Sequence, residues 1–418
     1  MHICVIGAGV VGLTTAYFLQ AEGHTVTVVD RAPGPAAGAS RANGAQLSYA
    51  FVAPLADASV PPKLVSLLLS RDSPLKFHLQ FDRTQWSWGW AFLRVANTPA
   101  ARATTAALLQ LSELSREFIE PLIEGEGIDC AFTRGGKLVV YPDAASLAAA
   151  RAQVAFQATL GTAQRVMGAE ECVQQEPALA PYSAHIAGGV WTPTDAAADC
   201  GRFCDQLTRL LAQRGVEFVF DRAIDRFDID RGAVRALVTS GDGAAPLRAD
   251  AYVLAAGSQS ARLGATAGLA LPIYPLKGYS ITIKPLDGAL PRASITDTRR
   301  KVVFAPLGDR VRVAGFVEIG GDATSIPPGR IGGLLDAARE VLGYRAVDGD
   351  LRPWSGQRPA TPNGRPILGR SGVNNLFLNV GQGALGWTLA AGSARLVCDA
   401  VAGRTPTIDP RPFAAPAG

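Results

Sequence analysis

Three glycines near the N-terminus, Gly7, Gly9 and Gly12, form a Gly-x-Gly-x-x-Gly pattern that could bind phosphate. The apolar run of residues 2–6 before them is typical of a buried parallel strand, and residues 13–22 after them have the pattern of a helix. In this context Gly7 permits a tight turn, Gly9 lets the backbone approach a pyrophosphate, and Gly12 lets helix and strand pack closely. N–H groups at a helix start attract phosphate. The pattern therefore predicts a dinucleotide site.

Asp30 ends a second predicted strand, residues 25–29, and its carboxylate can accept hydrogen bonds from both ribose hydroxyls of a nucleotide. Arg31 follows, and after a stretch rich in glycine, alanine and proline comes the polar run of residues 40–46. Small and polar groups of this kind are suited to line phosphates and the edge of a flavin ring. The glycine motif by itself does not distinguish FAD from NAD.

Two later segments favour FAD. Residues 249–255 have the pattern of a strand that runs into a second glycine turn at Ala256-Gly257. Residues 375–380 have the pattern of a strand, and the glycine turn of residues 381–383 leads into a predicted helix over residues 384–401. The positive end of that helix would face the flavin pyrimidine, where negative charge develops on reduction. A site completed by about the last 60 residues suits a flavin held along its whole length.

The middle of the chain predicts a second, mostly antiparallel domain. We expect α/β architecture, α+β overall, in which a Rossmann-like FAD-binding domain is interleaved with a substrate-binding domain. Residues 1–82, 192–264 and 356–418 are assigned to the FAD-binding domain, and residues 83–191 and 265–355 to the substrate-binding domain. Residues 216–224 are expected to return to the nucleotide sheet. Further helices are predicted at 103–124, 144–159 and 202–213, and further strands at 137–141, 233–238, 278–284, 301–305 and 310–317.

Five ordered blocks of sequence carry a family resemblance: residues 5–12, 274–280, 312–318, 354–362 and 378–388. Through them the chain resembles the D-amino acid dehydrogenases of the small-subunit type, within the wider group of D-amino acid oxidases, glycine oxidases and sarcosine oxidases. The resemblance implies a two-domain flavoprotein with FAD at the domain boundary and an amino acid over the flavin face. Two positions depart from the family pattern: Gln382 stands where histidine is common, and the usual Ala-Asn-Ala-Gly run is Ala42-Asn43-Gly44-Ala45.

The resemblance also assigns roles in an oxidative deamination. Hydride would pass from the substrate Cα to flavin N5, and the resulting imine would hydrolyse to a 2-oxo acid and ammonia. Arg358 resembles the arginine that binds the substrate carboxylate, for which a guanidinium has the matching bidentate geometry. Tyr279 is a second candidate for that carboxylate, and Gln382 is expected near the flavin. None of the four histidines and none of the six cysteines falls in a matched block, so FAD is expected to be non-covalent.

A larger set of residues is expected to contact FAD. These are Gly7, Gly9, Val10, Val11, Gly12, Asp30, Arg31, Ser40, Asn43, Gly44, Gln46, Ile224, Ala256, Gly257, Gly381, Gly383, Ala384, Leu385, Gly386 and Thr388.

Three alternatives remain open at the level of sequence. The first is an oxidase that makes hydrogen peroxide from D-amino acids, glycine, sarcosine or imino acids resembling D-hydroxyproline. The second is an FAD-binding electron-transfer subunit without turnover of its own. The third, an NAD-linked dehydrogenase, is disfavoured by the C-terminal block.

Composition limits the possible partners and the cellular location of the protein. The net charge of +4 is mild for 418 residues, and no cluster of basic residues with interleaved aromatics suggests a nucleic-acid partner. The six cysteines lack metal-binding spacing, which indicates reduced thiols and a cytoplasmic location. No run of about 20 uninterrupted apolar residues predicts a membrane span.

Residues 61–95 combine basic residues with Trp86, Trp88, Trp90 and Phe92. They suggest either peripheral contact with the inner face of the cell membrane, where a quinone would take electrons, or ordinary helices covering the substrate domain.

Overall fold

The computed structural model describes residues 1–52, 56, 75–240, 245–322, 324–345, 349 and 351–416. The strands are β1 (His2–Ile6), β2 (Thr25–Val29), β3 (Gln46–Leu47), β4 (Leu75–Phe77), β5 (Lys137–Tyr141), β6 (Arg165–Gly168), β7 (Gly188–Thr192), β8 (Ala196–Ala197), β9 (Glu217–Val219), β10 (Ile224–Asp230), β11 (Ala233–Thr239), β12 (Ala251–Leu254), β13 (Tyr274–Ile283), β14 (Ser294–Asp297), β15 (Val302–Leu307), β16 (Arg310–Ile319), β17 (Arg352–Ala360), β18 (Ile367–Arg370) and β19 (Leu376–Val380). The α-helices are α1 (Val10–Ala21), α2 (Arg83–Val95), α3 (Thr98–Gly125), α4 (Ala144–Ala158), α5 (Ala169–Gln175), α6 (Cys200–Gln213), α7 (Ser260–Thr266), α8 (Pro328–Leu342) and α9 (Gly386–Ala402).

The first sheet has six strands in the order β18-β19-β12-β1-β2-β9. β1 pairs in parallel with β2 and β12, β12 pairs in parallel with β19, and β18 returns antiparallel. The central strands are apolar and buried, as parallel strands between covering layers must be. β9 pairs in parallel with β2, so the expected return to the nucleotide sheet is confirmed, over three residues only.

Two layers cover the first sheet. On one face, α1 packs against α9, α9 packs against α3, and α6 joins the same hydrophobic cluster. On the other face, the hairpin of β10 and β11 packs with α7 over residues that include Ile6 and Tyr252. The alternation of the short apolar strands with amphipathic helices produces this layering, because each sheet face must be removed from water.

The second sheet has nine strands in the order β17-β13-β16-β15-β14-β5-β7-β6, with β4 also pairing with β16. Most pairs are antiparallel, including those among β13, β15 and β16, so the antiparallel prediction is confirmed there. The pairs β5–β14 and β4–β16 are parallel. One face packs against α8 through a cluster that includes Ile281, Val313 and Leu334. The opposite face is turned towards the first sheet.

Strand pairing moves two of the expected domain boundaries. β4 joins the second sheet, although residues 75–82 were assigned to the FAD-binding domain. The boundary expected at residue 356 falls inside β17, all nine residues of which pair with β13. The sequence did not predict β17, because Pro353 and Pro359 are poor strand residues. An edge strand tolerates them, since a missing N–H on its open side breaks no ladder bond. The rest of the domain division stays a prediction.

Arg312 on β16 fastens the second sheet to the part of the chain that follows β2. The side chain is 3% exposed. Its guanidinium donates to Thr282 Oγ1 at 2.7 Å, to the Asn43 carbonyl at 2.8 Å and to Asp199 Oδ2 at 3.1 Å. Asp199 also caps the start of α6 by accepting from the Arg202 N–H. A buried guanidinium with several acceptors holds both layers in place, because loss of any partner leaves a charge desolvated.

In the described part of the chain, no helix combines the length and apolar character that crossing a bilayer requires.

Candidate active site

A cavity of about 1300 Å³ lies between the two sheets. It extends from the glycine turn after β1 to the start of α9, and its wall also includes residues of β5 and β17. Of the residues predicted from sequence to bind cofactor or substrate, all except Gly12 and Gly381 contribute to this wall. The long shape, with a glycine turn at one end and a helix start elsewhere on the wall, fits a dinucleotide such as FAD. The individual cofactor contacts stay predictions.

The glycine turn depends on two close backbone approaches. Gly7 has φ +115°, and a Cβ there would lie 2.4 Å from the Ala255 carbonyl oxygen. A Cβ on Gly12 would lie 1.9 Å from the Gly7 carbonyl oxygen, so Gly12 serves helix packing and not the cavity wall. The nearest atom to a Cβ on Gly9 would be Ser40 Oγ at 3.4 Å, which leaves the inner side of the turn open for a ligand. These glycines therefore form a cradle.

Two polar side chains brace this cradle. Asp30 accepts from the Ala8 N–H at 2.7 Å and from the Ala32 N–H at 2.9 Å, one bond to each carboxylate oxygen. Each oxygen keeps a further lone pair, as ribose recognition would need. Ser40 Oγ accepts from the Val10 N–H at 3.0 Å, so one N–H that was expected to be free at the start of α1 is already bonded.

Residues 40–48, here called the bridging loop, cross the inner face of the second sheet. The Ala42 carbonyl accepts from Ser280 on β13, and the Asn43 carbonyl accepts from Arg312 on β16. Further along, Gln46 Nε2 donates to Thr296 Oγ1 on β14 at 3.3 Å. The loop is thus held against successive strands along its whole length.

The departure from the family pattern in the bridging loop affects the backbone conformation of that loop. Ala45 adopts φ +57°, a left-handed conformation that favours glycine, and it stands where the family pattern has glycine. A Cβ on the preceding Gly44 would lie 3.2 Å from Val303 Cγ2 and 3.9 Å from Ala314 Cβ. The chain therefore has its glycine at the tight contact with the second sheet and places alanine in the strained conformation.

Gln382 lies in the turn before α9 and is 4% exposed. Its Nε2 donates to Asn379 Oδ1 at 2.6 Å, and Asn379 Nδ2 donates to Thr15 Oγ1 on α1 at 2.9 Å. Gln382 Oε1 accepts no hydrogen bond from a described residue. Asn379 thereby holds the amide of Gln382 in one orientation, and Oε1 is left as an acceptor at the cavity wall. Gly381 has φ +82°, which makes this turn possible.

Arg358 lies over a glycine of the neighbouring strand, Gly278. Gly278 on β13 and Gly356 on β17 pair directly, and a Cβ on Gly278 would lie 2.6 Å from Arg358 Nη2. A Cβ on Gly356 would lie 2.1 Å from the Trp354 ring. Burial lowers the pKa of the Arg358 guanidinium, and no described residue accepts a hydrogen bond from it or forms an ion pair with it. A half-buried cation at a cavity wall, with no partner among the described residues, is a site for an anionic ligand.

Tyr279 contributes to the wall, but its hydroxyl already has an acceptor. It donates to Glu318 Oε2 at 2.9 Å, and Arg330 Nε donates to Glu318 Oε1 at 2.8 Å. Burial opposes ionisation of Glu318, but the bonds from Arg330 and Tyr279 outweigh it and hold the pKa of that carboxyl below its ordinary value. To donate to a substrate carboxylate, as expected, the Tyr279 hydroxyl would have to give up its hydrogen bond to Glu318. In this structure Tyr279 contributes only its ring to the cavity wall.

Lys137, at the start of β5, is a cavity residue that the sequence analysis did not single out. It is 5% exposed, and its Nζ donates to Ser48 Oγ at 2.8 Å. Asp195 lies close enough to interact with its charge and is 1% exposed. The available signal was a lysine at the head of the otherwise apolar strand Lys137–Tyr141, directly after Gly135-Gly136.

No described histidine belongs to the cavity wall. No cluster of three or more potential metal ligands occurs among the residues the structure describes.

Comparison with known proteins places this site in context. The family model described as FAD dependent oxidoreductase matches residues 2–400. D-amino acid dehydrogenase 2 of Ralstonia nicotianae is 44% identical over 427 residues, covering 99% of this chain and 99% of the relative. D-amino acid dehydrogenase 2 of Pseudomonas aeruginosa is 42% identical, covering 98% of this chain and 96% of the relative.

Solved structures share the fold at lower identity. Glycine oxidase from Geobacillus kaustophilus superposes with a TM-score of 0.77 at 21% identity, covering 100% of this chain and 98% of that one. L-proline dehydrogenase from P. horikoshii superposes with a TM-score of 0.72 at 17% identity, covering 97% of this chain and 94% of that one. These structures support the interleaved α/β architecture expected from sequence.

The cradle can be tested with Gly12→Ala. We expect FAD affinity to fall by roughly tenfold or more, because the new Cβ cannot fit 1.9 Å from the Gly7 carbonyl oxygen and the turn must shift. Flavin absorbance per mole of purified protein, before and after incubation with FAD, measures the effect. Gly34→Ala is the matched control, since no atom lies within 4 Å of a Cβ there. Equal FAD content in both variants would contradict the role given to Gly12.

Proposed function

The chain belongs to the FAD-dependent oxidoreductase family, and from that premise we propose that it is a D-amino acid dehydrogenase. The single observation that carries the proposal is Arg358, a half-buried guanidinium at the wall of an FAD-sized cavity that has no ion-pair or hydrogen-bond partner among the described residues. An α-amino acid supplies the carboxylate that this site lacks. The D configuration follows the names of the relatives.

In the proposed reaction, each protein group has a defined task. When bound, FAD supplies the two-electron acceptor for the hydride that leaves the substrate Cα. The Arg358 guanidinium holds the substrate carboxylate through paired hydrogen bonds, which limits rotation of the substrate about its Cα. Gln382 Oε1 can accept from the substrate amine, and Asn379 keeps that amide in place.

The wall of the cavity excludes bulk water from the reacting carbon through apolar groups such as Trp354 and the Tyr279 ring. The substrate amine must be neutral when hydride leaves. In the proposed reaction its proton passes to water before the step. The imine product leaves and is hydrolysed to a 2-oxo acid and ammonia.

The reaction can be tested by mixing the purified holoprotein, without oxygen, with D-alanine, D-proline, their L-forms and glycine in separate experiments. We expect the oxidised-flavin absorbance to bleach with D-forms only. Admission of oxygen then separates a dehydrogenase, which makes little peroxide and reduces a quinone analogue, from an oxidase. A flavin that bleaches only with L-forms would contradict the proposal, as would one that no amino acid bleaches.

Arg358→Met tests the carboxylate site. We expect kcat/KM for the D-amino acid that reacts best to fall between roughly 30-fold and several thousand-fold, because loss of one partner of a buried charge pair costs about 2–5 kcal/mol. FAD content should not change. Arg352→Ala is the matched control, since Arg352 lies on the same strand but is exposed and outside the cavity wall. Near-normal kinetics of Arg358→Met would exclude the assignment.

We propose further that electrons leave to a membrane quinone through an aromatic patch on and beside α2. The patch comprises the exposed side chains Leu79, Phe81, Trp86, Trp90 and Leu93. All except Phe81 also line the cavity, so the patch lies at its opening. Exposed basic residues flank it at Lys76, Arg83 and Arg94. Tryptophans beside basic residues suit the interface of an anionic bilayer.

The two other aromatic residues of the expected surface face inwards. Trp88 is 5% exposed, donates to the Ala360 carbonyl at 2.8 Å and stacks on Phe92. The helical period of α2 thus separates Trp88 and the half-buried Phe92 from the exposed Trp86 and Trp90, so only the latter two aromatics are available to a membrane surface. Residues 61–74 of the expected surface lie outside the described residues.

Flotation with vesicles that contain anionic lipid tests the patch. We expect the protein to rise with the vesicles and the variant Trp86→Ser with Trp90→Ser to bind them roughly tenfold more weakly, because two large apolar side chains no longer insert. Leu286→Ser is the control, as Leu286 is 64% exposed elsewhere on the surface. The patch would be excluded if all three proteins floated equally, and also if none of them floated with the vesicles.

A further inference from the structure

Lys137 is a buried cation that the proposed oxidation does not use. It is 5% exposed, lines the cavity, and stands 4.7 Å from the centre of the Phe51 ring. Its one hydrogen bond to a described residue is the donation to Ser48 Oγ at 2.8 Å. No described carboxylate lies within ion-pair distance. The ammonium is therefore desolvated without a direct counter-ion, which is costly unless something else in the site is negative.

Asp195 is the carboxylate whose charge acts on Lys137. Its Oδ1 accepts from the Ala50 N–H at 2.9 Å, while its buried Oδ2 has no partner. Burial lowers the pKa of Lys137 to about 8, against the opposing effect of Asp195. Burial raises the pKa of Asp195 to about 6, against the opposing effect of Lys137.

Lys137 is placed at the start of α9. The Ser48 N–H donates to Thr388 Oγ1 at 3.0 Å, and Thr388 lies in the first turn of this 17-residue helix. Ser48 therefore links the ammonium to the helix start, and both line the cavity. A helix N-terminus carries roughly half a positive charge. Two positive groups thus lie together in one part of the site.

Arg358 is remote from this point. β17 and β5 are separated by four strands in the second sheet. With neighbouring strands about 4.8 Å apart, the five strand spacings between β17 and β5 separate the two strands by roughly 24 Å across the sheet. The two cations therefore serve different negative groups. Under the proposed function Arg358 binds the substrate carboxylate, so a ligand group that meets Lys137 is a different one.

We propose that Lys137 stabilises the negative charge that reduction places on the pyrimidine end of the flavin, acting together with the start of α9. Lys137 would in this way make FAD a stronger acceptor and favour oxidation of the substrate. The inference rests on the proposed function only in its use of bound FAD. A role confined to anchoring Ser48 would need the hydrogen bond but not the charge.

Two variants separate charge from hydrogen bond. Lys137→Gln keeps an N–H donor for Ser48, whereas Lys137→Met keeps neither donor nor charge. Sulfite is the probe, because its addition to oxidised flavin places negative charge on the same part of the ring. We expect the sulfite Kd of both variants to rise by about 10- to 100-fold. The flavin potential should fall correspondingly, by about 30 mV per tenfold for a two-electron couple. Lys284→Met, which removes a surface lysine paired with Asp309, should leave both quantities unchanged.

An unchanged sulfite Kd in Lys137→Gln, with normal FAD content, would overturn the proposal. So would an effect seen in Lys137→Met alone, since that result identifies an anchor. Bleaching of the flavin by D-amino acids is measured separately. A protein with the expected sulfite behaviour that no D-amino acid reduces would overturn the proposed function and leave this inference standing.

The pH dependence of wild-type sulfite binding gives an independent test if the Lys137 variants fail to fold. The ammonium is present below the pKa of Lys137 and is lost as pH rises through about 8, so sulfite binding should weaken there beyond the ionisation of sulfite itself. The facing groups are Asp195 and, beside it, Tyr49, which in turn lies near Glu120, Arg116 and Arg134. Asp195→Asn removes the charge that supports the ammonium, so the transition should move to lower pH. A transition at the same pH in both proteins would contradict the assignment.

Discussion

The bridging loop between the two sheets is the constraint on which the rest of the site depends. Its carbonyls at Ala42 and Asn43 accept from Ser280 and Arg312 of the second sheet, while Ser40 accepts from the start of α1 below the first. These bonds set the separation of the sheets and hence the width of the cavity. Because Arg312 is buried and bonded to the loop, to its own sheet and to Asp199, a shift of the loop would leave a desolvated charge without partners.

Three cations on the inner side of the second sheet differ in their protein partners. The difference indicates which of them is structural and which could bind a ligand. Arg312 has acceptors for its N–H groups and acts as a fastener. Arg358 has no described protein partner, and Gly278 on the neighbouring strand makes room for it. Lys137 has one neutral partner and a carboxylate beyond ion-pair distance. A buried charge that the protein leaves uncompensated is costly in the free protein, and that cost is recovered when an anionic group binds.

The two departures from the family pattern lie in segments that hydrogen bonds hold in place: the bridging loop and the turn before α9. Ala45 adopts a left-handed conformation at a cost of about 1–2 kcal/mol, which persists because bonds on both sides fix the loop. Gln382 replaces a titratable group with a neutral amide that Asn379 orients. The cavity therefore contains an amide acceptor where the family pattern has histidine, and this side chain cannot take a proton from the substrate amine.

The sequence alone determined the nucleotide end of this protein, because there the function needs only local geometry. A strand, a glycine turn and a helix are contiguous, so Gly7, Gly9 and Asp30 could be placed from spacing. The five matched blocks likewise identified Arg358 as the candidate for the carboxylate. Tertiary structure decided what depends on distant partners. Only the pairing of β13 with β17 places Arg358 over Gly278. Only the pairing of β13 with β16 commits the Tyr279 hydroxyl to Glu318, and only the placement of β5 beside Ser48 and α9 brings Lys137 into the cavity. Hydrogen bonds and charge interactions act across space, and spacing along the chain carries no record of which strands will become neighbours.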